Sequence, residues 1–330
     1  MYLARLKYIL MTNKRLFSFI MILFVVLSCK KDDDGGFEVV PPRLLSEVIT
    51  EDAVKIKEYL ETHFYNYEEF ENPPVDFDFR IKLDTIAGDN VGKTPLISQM
   101  EAKTVTIRSE EFGADDEETV EHTYYYLPAK EGLGVSPSVA DSTYVRYEGS
   151  LLNGHIFDGS TESAIWFDLA RIQGPLQGAR GFSEGIPNFK AGGVIEVNPD
   201  GTYEVKDYGV GLIIFPSALG YYNSSQGTIP EYSPLIFKID LFAVNEADHD
   251  GDGIPSIMED VNNDGYLYND NTDEDNETEL RIGLTPNFLD DDDDDDGTPT
   301  REEIEIVNGI IITPDTDNDG IPDYLDKDNK

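Results

Sequence analysis

Hydrophobic and polar positions change their rhythm several times along this chain, and the changes divide it. Residues Leu16 to Leu27 are almost all apolar and follow Lys14 and Arg15. That run is short for a bilayer span but fits the h-region of a signal peptide, so residues 1–28 are read as one, with Met11 as an alternative start. Residues 29–45 are charged, then rich in Gly and Pro, the composition of a tether. A helical period follows: Thr50 is a candidate N-cap, Glu51 and Asp52 sit in the first turn, and Ala53, Ile56, Leu60 and Phe64 recur at helical spacing. The helix is expected to end before Asn72-Pro73-Pro74. The period then becomes two, with Phe77, Phe79, Ile81 and Leu83 alternating with Asp78, Arg80, Lys82 and Asp84, which predicts a half-buried strand. Two more strands are expected at KTVTIRS and EHTYYYL. Residues 46–120 are therefore read as an α+β extension. Residues 121–245 carry short apolar runs, Gly-rich turns and one helix-sized piece, the pattern of a curved antiparallel sheet closed by a short helix. The fold class is α+β.

Residues 246–330 break every period. They hold 29 acidic and 4 basic residues, −25 of the chain's net −41. Such a polyanion excludes nucleic acid as a partner, because phosphates are recognised by Lys and Arg. It should attract cations instead. The acids fall in register: Asp248, Asp250 and Asp252 precede Gly253, with Glu259 at loop position 12. Asp292, Asp294 and Asp296 precede Gly297, with Glu303 at position 12. Asp315, Asp317 and Asp319 precede Gly320, with Asp326 at position 12. Each loop also has proline at position 8. Calcium takes six to eight oxygens, and carboxylates at 1, 3, 5 and 12 around a glycine-dependent turn supply them. A fourth copy, Asp260-x-Asn262-x-Asp264-Gly265, lacks an acid at position 12. The repeats resemble the calcium-binding repeats of thrombospondin type 3 and imply structural calcium in an irregular tail. The plain alternative is a solvated, disordered acidic tail.

The single cysteine, Cys29, rules out a disulfide framework or a Cys-based zinc site. Val26-Leu27-Ser28-Cys29 resembles the lipobox of bacterial lipoproteins. That resemblance implies acylation of Cys29, including palmitate, and a membrane attachment held by two or more chains. The following CKKDDDGG resembles the surface-export signal of Bacteroidetes lipoproteins, which implies the cell envelope, at the outer membrane and surface-exposed. The other reading is a cleaved signal with an incidental cysteine.

Three blocks in the middle region, YVRYEGSLLNGHIFDGS, RGFSEGIPNFKAGG and LIIFPSALGYYNSSQGTIPEYSPLIFKIDL, occur in the order and near the spacing of FKBP-type peptidyl-prolyl cis-trans isomerases. The resemblance implies an FKBP-like curved antiparallel sheet around a short helix, and a proline pocket as the catalytic site. Residue by residue, it assigns Tyr147, Phe157, Asp158, Phe182, Tyr221, Ile229 and Phe237 to that pocket, with Ile165 and Phe167 on a strand that adds a wall. Phe182 stands where tryptophan is common in the family, and Ala179 where a larger aliphatic residue is usual. Trp166 falls out of phase with the wall and is read as packing.

Such a site needs no cofactor and no nucleophile. Rotation about an X-Pro amide is slow because the twisted state loses resonance. A dry aromatic pocket favours the twisted amide over the planar one. The four histidines, His63, His122, His155 and His249, are scattered and suggest neither a metal site nor a hydrolytic triad. The expected activity is prolyl isomerisation in the bacterial cell envelope, with Pro-containing envelope or secreted proteins as clients. Two alternatives are a catalytically weak FKBP-like peptide-binding module on a calcium-stiffened stalk, and a purely structural stalk.

Overall fold

The computed structural model describes residues 41–174, 177–200 and 203–328. The expected signal peptide, Cys29 and most of the tether lie outside the described residues. Among the described residues, no helix is long and apolar enough to cross a membrane.

The first helix, α1 (Leu45–Thr62), starts five residues before the expected cap. Thr50 lies inside it, and its Oγ1 donates to the Ser46 carbonyl at 3.0 Å. The early start follows from burial: Leu45 and Val48 extend one apolar stripe through Ile56, Tyr59 and Leu60, whereas Ala53 faces solvent. Asp52 sits on the same buried face. It is held there by Ser217, whose N and Oγ donate to Asp52 Oδ2 at 2.8 and 2.6 Å. Phe64 falls in β1 (His63–Tyr65), and α2 (Tyr67–Glu71) ends at Asn72, ahead of the prolines.

The alternating stretch from Phe77 to Leu83 is not the strand its period predicts. Only β2 (Leu83–Thr85) pairs, antiparallel to β1. Asp76 and Phe79 take φ values of 66° and 56°, which turn the chain. Phe77 and Phe79 instead gather on Phe70, with ring centroids 5.2 and 6.0 Å from it.

The core is one antiparallel six-stranded sheet in the order β3 (Glu101–Arg108), β4 (Thr119–Lys130), β9 (Gly209–Phe215), β10 (Leu235–Asn245), β5 (Ser142–Leu151), β6 (Ile156–Asp168). The division drawn at residue 120 therefore falls inside a sheet, because β3 pairs with β4 and β4 with β9. The reason is visible in β9, which is buried at every position. Ile213 and Phe215 join one apolar cluster, while Val210, Leu212 and Ile214 join a second that includes Ile56, Tyr59 and Leu60 of α1. The extension thus supplies the sheet's edge strand, β3, and with Ile56, Tyr59 and Leu60 of α1 covers its second face.

On the first face lies a short helix, α4 (Arg180–Gly185), preceded by α3 (Leu169–Gln173). Gly181 and Gly185 let α4 rest directly on β9: a Cβ at either would come within 2.4 Å of the Phe215 ring or 2.3 Å of Ile213 Cδ1. A hairpin of β7 (Val194–Val197) and β8 (Tyr203–Lys206) precedes β9.

In the acidic region, Leu267 and Phe288 pack with Ala140 and Ala170 in a small core of their own. This differs from a tail shaped by metal alone, since part of it is seated on the sheet domain. It also contains α5 (Glu274–Leu280), α6 (Thr300–Glu303) and a hairpin, β11 (Glu305–Val307) with β12 (Ile310–Ile312).

Candidate functional site: an aromatic pocket and a set of acidic loops

Between α4 and the strands lies a cavity of about 120 Å³ lined by Tyr147, Phe157, Asp158, Phe167, Ile172, Gln177, Gly178, Ala179, Phe182, Tyr221 and Phe237. Its floor is Phe182, which meets Phe167, Phe237 and Tyr147 edge to face at 5.0, 5.2 and 6.1 Å. Phe237 from β10 also stacks on Phe215 at 5.7 Å, so the floor is continuous with the core. Phe157 closes one side against Phe237 at 5.7 Å. Gly149 makes room for it, because a Cβ there would lie 2.6 Å from the Phe157 ring. Edge-to-face packing fixes each ring.

Of the nine residues the sequence named for the wall, seven line this cavity: Tyr147, Phe157, Asp158, Phe167, Phe182, Tyr221 and Phe237. Ile165 is 37% exposed and does not line it, although it shares a face of β6 with Phe167 two residues on. Trp166 is exposed and packs on Tyr144 at 5.2 Å, as expected of a packing residue. Ile229 is buried in the 221–232 loop, where its N–H donates to the Gln226 carbonyl, and it does not line the cavity. The wall residues Ile172, Gln177 and Gly178 were not singled out from sequence. Ala179 was noted only as a departure, and it lies at the N-cap of α4.

The pocket's polar groups are few and mostly occupied. The Tyr147 hydroxyl donates to Asp158 Oδ2 at 2.5 Å, and Gly159 N donates to Asp158 Oδ1 at 2.9 Å. Burial first, and Asp158 second, push the Tyr147 phenol above its ordinary range. Burial and Asp158 do the same to Tyr221. No hydrogen bond engages the Tyr221 hydroxyl among the described residues, which leaves it as the polar group of this wall available to a carbonyl. The pocket lining contains no nucleophile with an adjacent base. Geometrically it can hold a small apolar ring and present one hydroxyl.

The acidic loops keep their register in three dimensions. The four position-6 glycines, Gly253, Gly265, Gly297 and Gly320, have φ of 106°, 79°, 91° and 101°, the conformation for which glycine was expected. Carboxylate oxygens of Asp248, Asp250 and Asp252 lie within 4.8 Å of one another, and so do those of Asp292, Asp294 and Asp296. Glu259 and Glu303, expected at position 12, have both carboxylate oxygens buried without partners. Glu259 is pushed up to about 10 and Glu303 to about 8, in each case by burial first and neighbouring carboxylates second. Asp326 is buried as well, while Asp315 is half-buried and Asp317 and Asp319 are exposed.

The structure also gathers acids that the register did not select. Asp293 joins Asp252 and Glu259 in a buried group, Asp270 joins Asp260 and Asp264, and Asp273 meets Glu277 and Asp290. Asp293 and Asp270 lie one place off the 1-3-5-12 positions; Asp293 comes to Asp252 and Glu259 from another loop, while Asp270 turns into its own loop from position 11. All these donors are hard oxygens, which fit calcium.

His63, His122 and His249 are packed, and His155 is exposed. His63 stacks on Tyr59 at 3.8 Å, and His249 ties Ser256 to Asp168 at 2.8 and 3.1 Å. His122 is fully buried and pushed down to about 4 by burial and by Arg180.

Comparison with known proteins places this geometry. The family model described as FKBP-type peptidyl-prolyl cis-trans isomerase matches residues 134–242, and one described as BamM C-terminal matches residues 249–314. The FKBP-type isomerase FkpA of Escherichia coli K12 is 24% identical over 226 residues, covering 67% of this chain and 70% of its own length. A peptidyl-prolyl cis-trans isomerase of Schizosaccharomyces pombe is 31% identical over 112 residues, covering 33% of this chain and 83% of its own length. The crystal structure of E. coli FkpA is 18% identical, with a TM-score of 0.31 over 61% of this chain and 63% of that one. With its three sequence blocks folded into one aromatic cavity and a relative of that identity and coverage, the chain belongs to the FKBP-type peptidyl-prolyl cis-trans isomerases, a family of enzymes.

Proposed function

We propose that the aromatic cavity isomerises X-Pro bonds in proteins of the bacterial envelope, and that the chain is held at a membrane by lipid on Cys29 and stiffened by calcium in its tail. The observation that carries the first part is the cavity itself: six rings around about 120 Å³ and, among the described residues, one unengaged hydroxyl, at Tyr221, with no nucleophile. In that setting the proline ring enters the dry floor over Phe182. The twisted amide, with its reduced dipole, loses less on leaving water than the planar one does. Tyr221 donates to the substrate carbonyl. Asp158 holds the Tyr147 phenol in place and moves no proton. Ile229 acts through its loop, outside the cavity.

A proline-peptide assay with each variant's folding checked in parallel tests this. Phe157→Ala opens the pocket to water and should lower kcat/KM by on the order of tenfold to a hundredfold. Tyr221→Phe should cost about 1 kcal/mol, one neutral hydrogen bond. Asp158→Ala should fall between them. Because burial raises both phenols, neither titrates near neutrality, and the rate should stay flat between about pH 6 and 8. A folded wild-type chain with no rate above background would refute catalysis. It would favour the peptide-binding reading, for which the small Ala179 at the wall is the supporting feature.

The anchor rests on the lipobox-like Val26-Leu27-Ser28-Cys29. Cells expressing Cys29→Ser should lose the label from radioactive palmitate that wild type takes up, and a labelled mutant would end the assignment. Support for calcium comes from the fit of the loops: oxygen-only donors, left-handed glycines at position 6, and buried carboxylate oxygens with no protein partner. Where bound, the ion would supply the countercharge these acids lack.

A further inference from the structure

The fourth acidic loop, Asp260 to Asn271, has asparagine where its register calls for an acid, yet three of its carboxylates converge. Oxygens of Asp260, Asp264 and Asp270 lie within 4.8 Å of one another. Asp270 is 5% exposed; its Oδ1 accepts from Asn262 N and Nδ2 at 3.1 and 2.9 Å, while its Oδ2 is buried and unpartnered. A carboxylate oxygen shut away from water without a donor is destabilising unless a cation meets it. Asn271 Oδ1, at position 12, is buried and unpartnered too.

This loop is seated on the isomerase pocket's supporting helix. Gln173, at the end of α3 and 4% exposed, donates through Nε2 to the Gly265 carbonyl at 2.7 Å and accepts at Oε1 from Leu267 N at 3.2 Å. These two bonds bracket Tyr266, which is position 7 of the loop, where a calcium loop supplies its backbone carbonyl. Leu267 packs with Ala170 of α3. The next face of the same helix turns to the proline pocket, where Ile172 is a wall residue. At its other end, Asp168 caps α3 through Arg171 N at 3.0 Å and accepts from His249 of the first acidic loop.

We propose that Asp260, Asp264 and Asp270 hold a divalent cation, calcium by the hardness of the donors, and that Gln173 is a positioning residue through which this ion fixes the Ile172 wall of the pocket. The coupling rests on the isomerase reading above; the ion site does not. With the ion bound, Tyr266 and its neighbours are held at one height against Gln173. Without it, the carboxylates repel and the loop loses that register, so Ile172 is no longer supported from behind.

The test uses the full chain, calorimetry with calcium chloride, and proline-peptide kinetics in calcium and in chelator. Wild type should show KM rising about tenfold on chelation, the scale of a lost apolar wall contact, with kcat little changed. Asp264→Asn should bind one ion fewer and give the chelated KM in both buffers. Gln173→Ala should keep the wild-type ion count and lose the KM response. An unchanged ion count in Asp264→Asn overturns the site. A full KM response in Gln173→Ala overturns the coupling. Should the wild type bind ions and fail to turn over substrate, the isomerase reading has failed, and calorimetric affinity for the same peptide, with and without calcium, still decides the coupling by the same split.

Discussion

Replacing Arg180 with alanine should destabilise the folded chain by about 3–5 kcal/mol, the cost of stranding buried charge. The guanidinium is nearly buried, with Nη1 3.1 Å from Glu111 Oε2 and Nε 3.0 Å from Glu184 Oε1, and both carboxylates are themselves about 10% exposed. Its Cζ lies 4.3 Å from the centre of the Tyr266 ring. One side chain thus joins the extension, the helix beneath the pocket and the acidic tail. Burial raises Glu111 and Glu184 even with Arg180 pulling against it. In the variant that opposing pull is gone, so both acids favour their protonated forms more strongly. Groups with a raised folded pKa bind more protons folded than unfolded, so their cost grows as pH rises above about 4.5. Urea unfolding should therefore show the full loss at pH 7 and a partial recovery near pH 5. A loss below about 1 kcal/mol at pH 7, or a deficit that deepens on acidification, would show that the pair of acids is not stranded.

The pocket was legible because its residues sit in blocks whose order and spacing survive folding. Tyr147, Phe157, Phe182 and Phe237 come from four elements, yet each block carries its own turn and strand signals. What the sequence hid is long-range. Thr50 has the chemistry of a cap, but the start of α1 is decided by Leu45 and Val48 meeting a sheet that forms from residues far along the chain. The alternation from Phe77 to Leu83 is real, and it produced no long strand because nothing pairs with it beyond β1 and because Phe70 offers the rings a better place. Ile165 and Phe167 lie on one face of β6, both past its register jump, so alternation alone does not show that Phe167 reaches the cavity and Ile165 does not. The register of the acidic loops was readable to the glycine. Its completing acids were not: Asp293 reaches Asp252 and Glu259 from another loop, and Asp270 meets Asp260 and Asp264 from position 11, one place before the acid the register calls for.

Glu259→Gln should move stability in opposite directions with and without calcium. The side chain is fully buried, neither oxygen has a partner, and Asp252 and Asp293 reach the same point from two different loops. With a chelator present, an ionised or proton-captured carboxylate there is a net cost, because it must either stay unpaired away from water or bind a proton that the unfolded chain does not bind at pH 7. Glutamine has nearly the same shape and no charge, so the variant should be more stable than wild type by on the order of 2 kcal/mol. In millimolar calcium the balance reverses. An ion at one hundred times its Kd adds about 2.7 kcal/mol per site to the folded state, and the amide is a poorer ligand than the carboxylate, so the variant should be less stable than wild type and bind one ion fewer. Thermal unfolding of the full chain in the two buffers reads the sign directly, with calorimetry giving the ion count. A shift of the same sign in both buffers would mean that Glu259 does not serve a cation, and no shift in either would mean that the acidic loops are not folded around it.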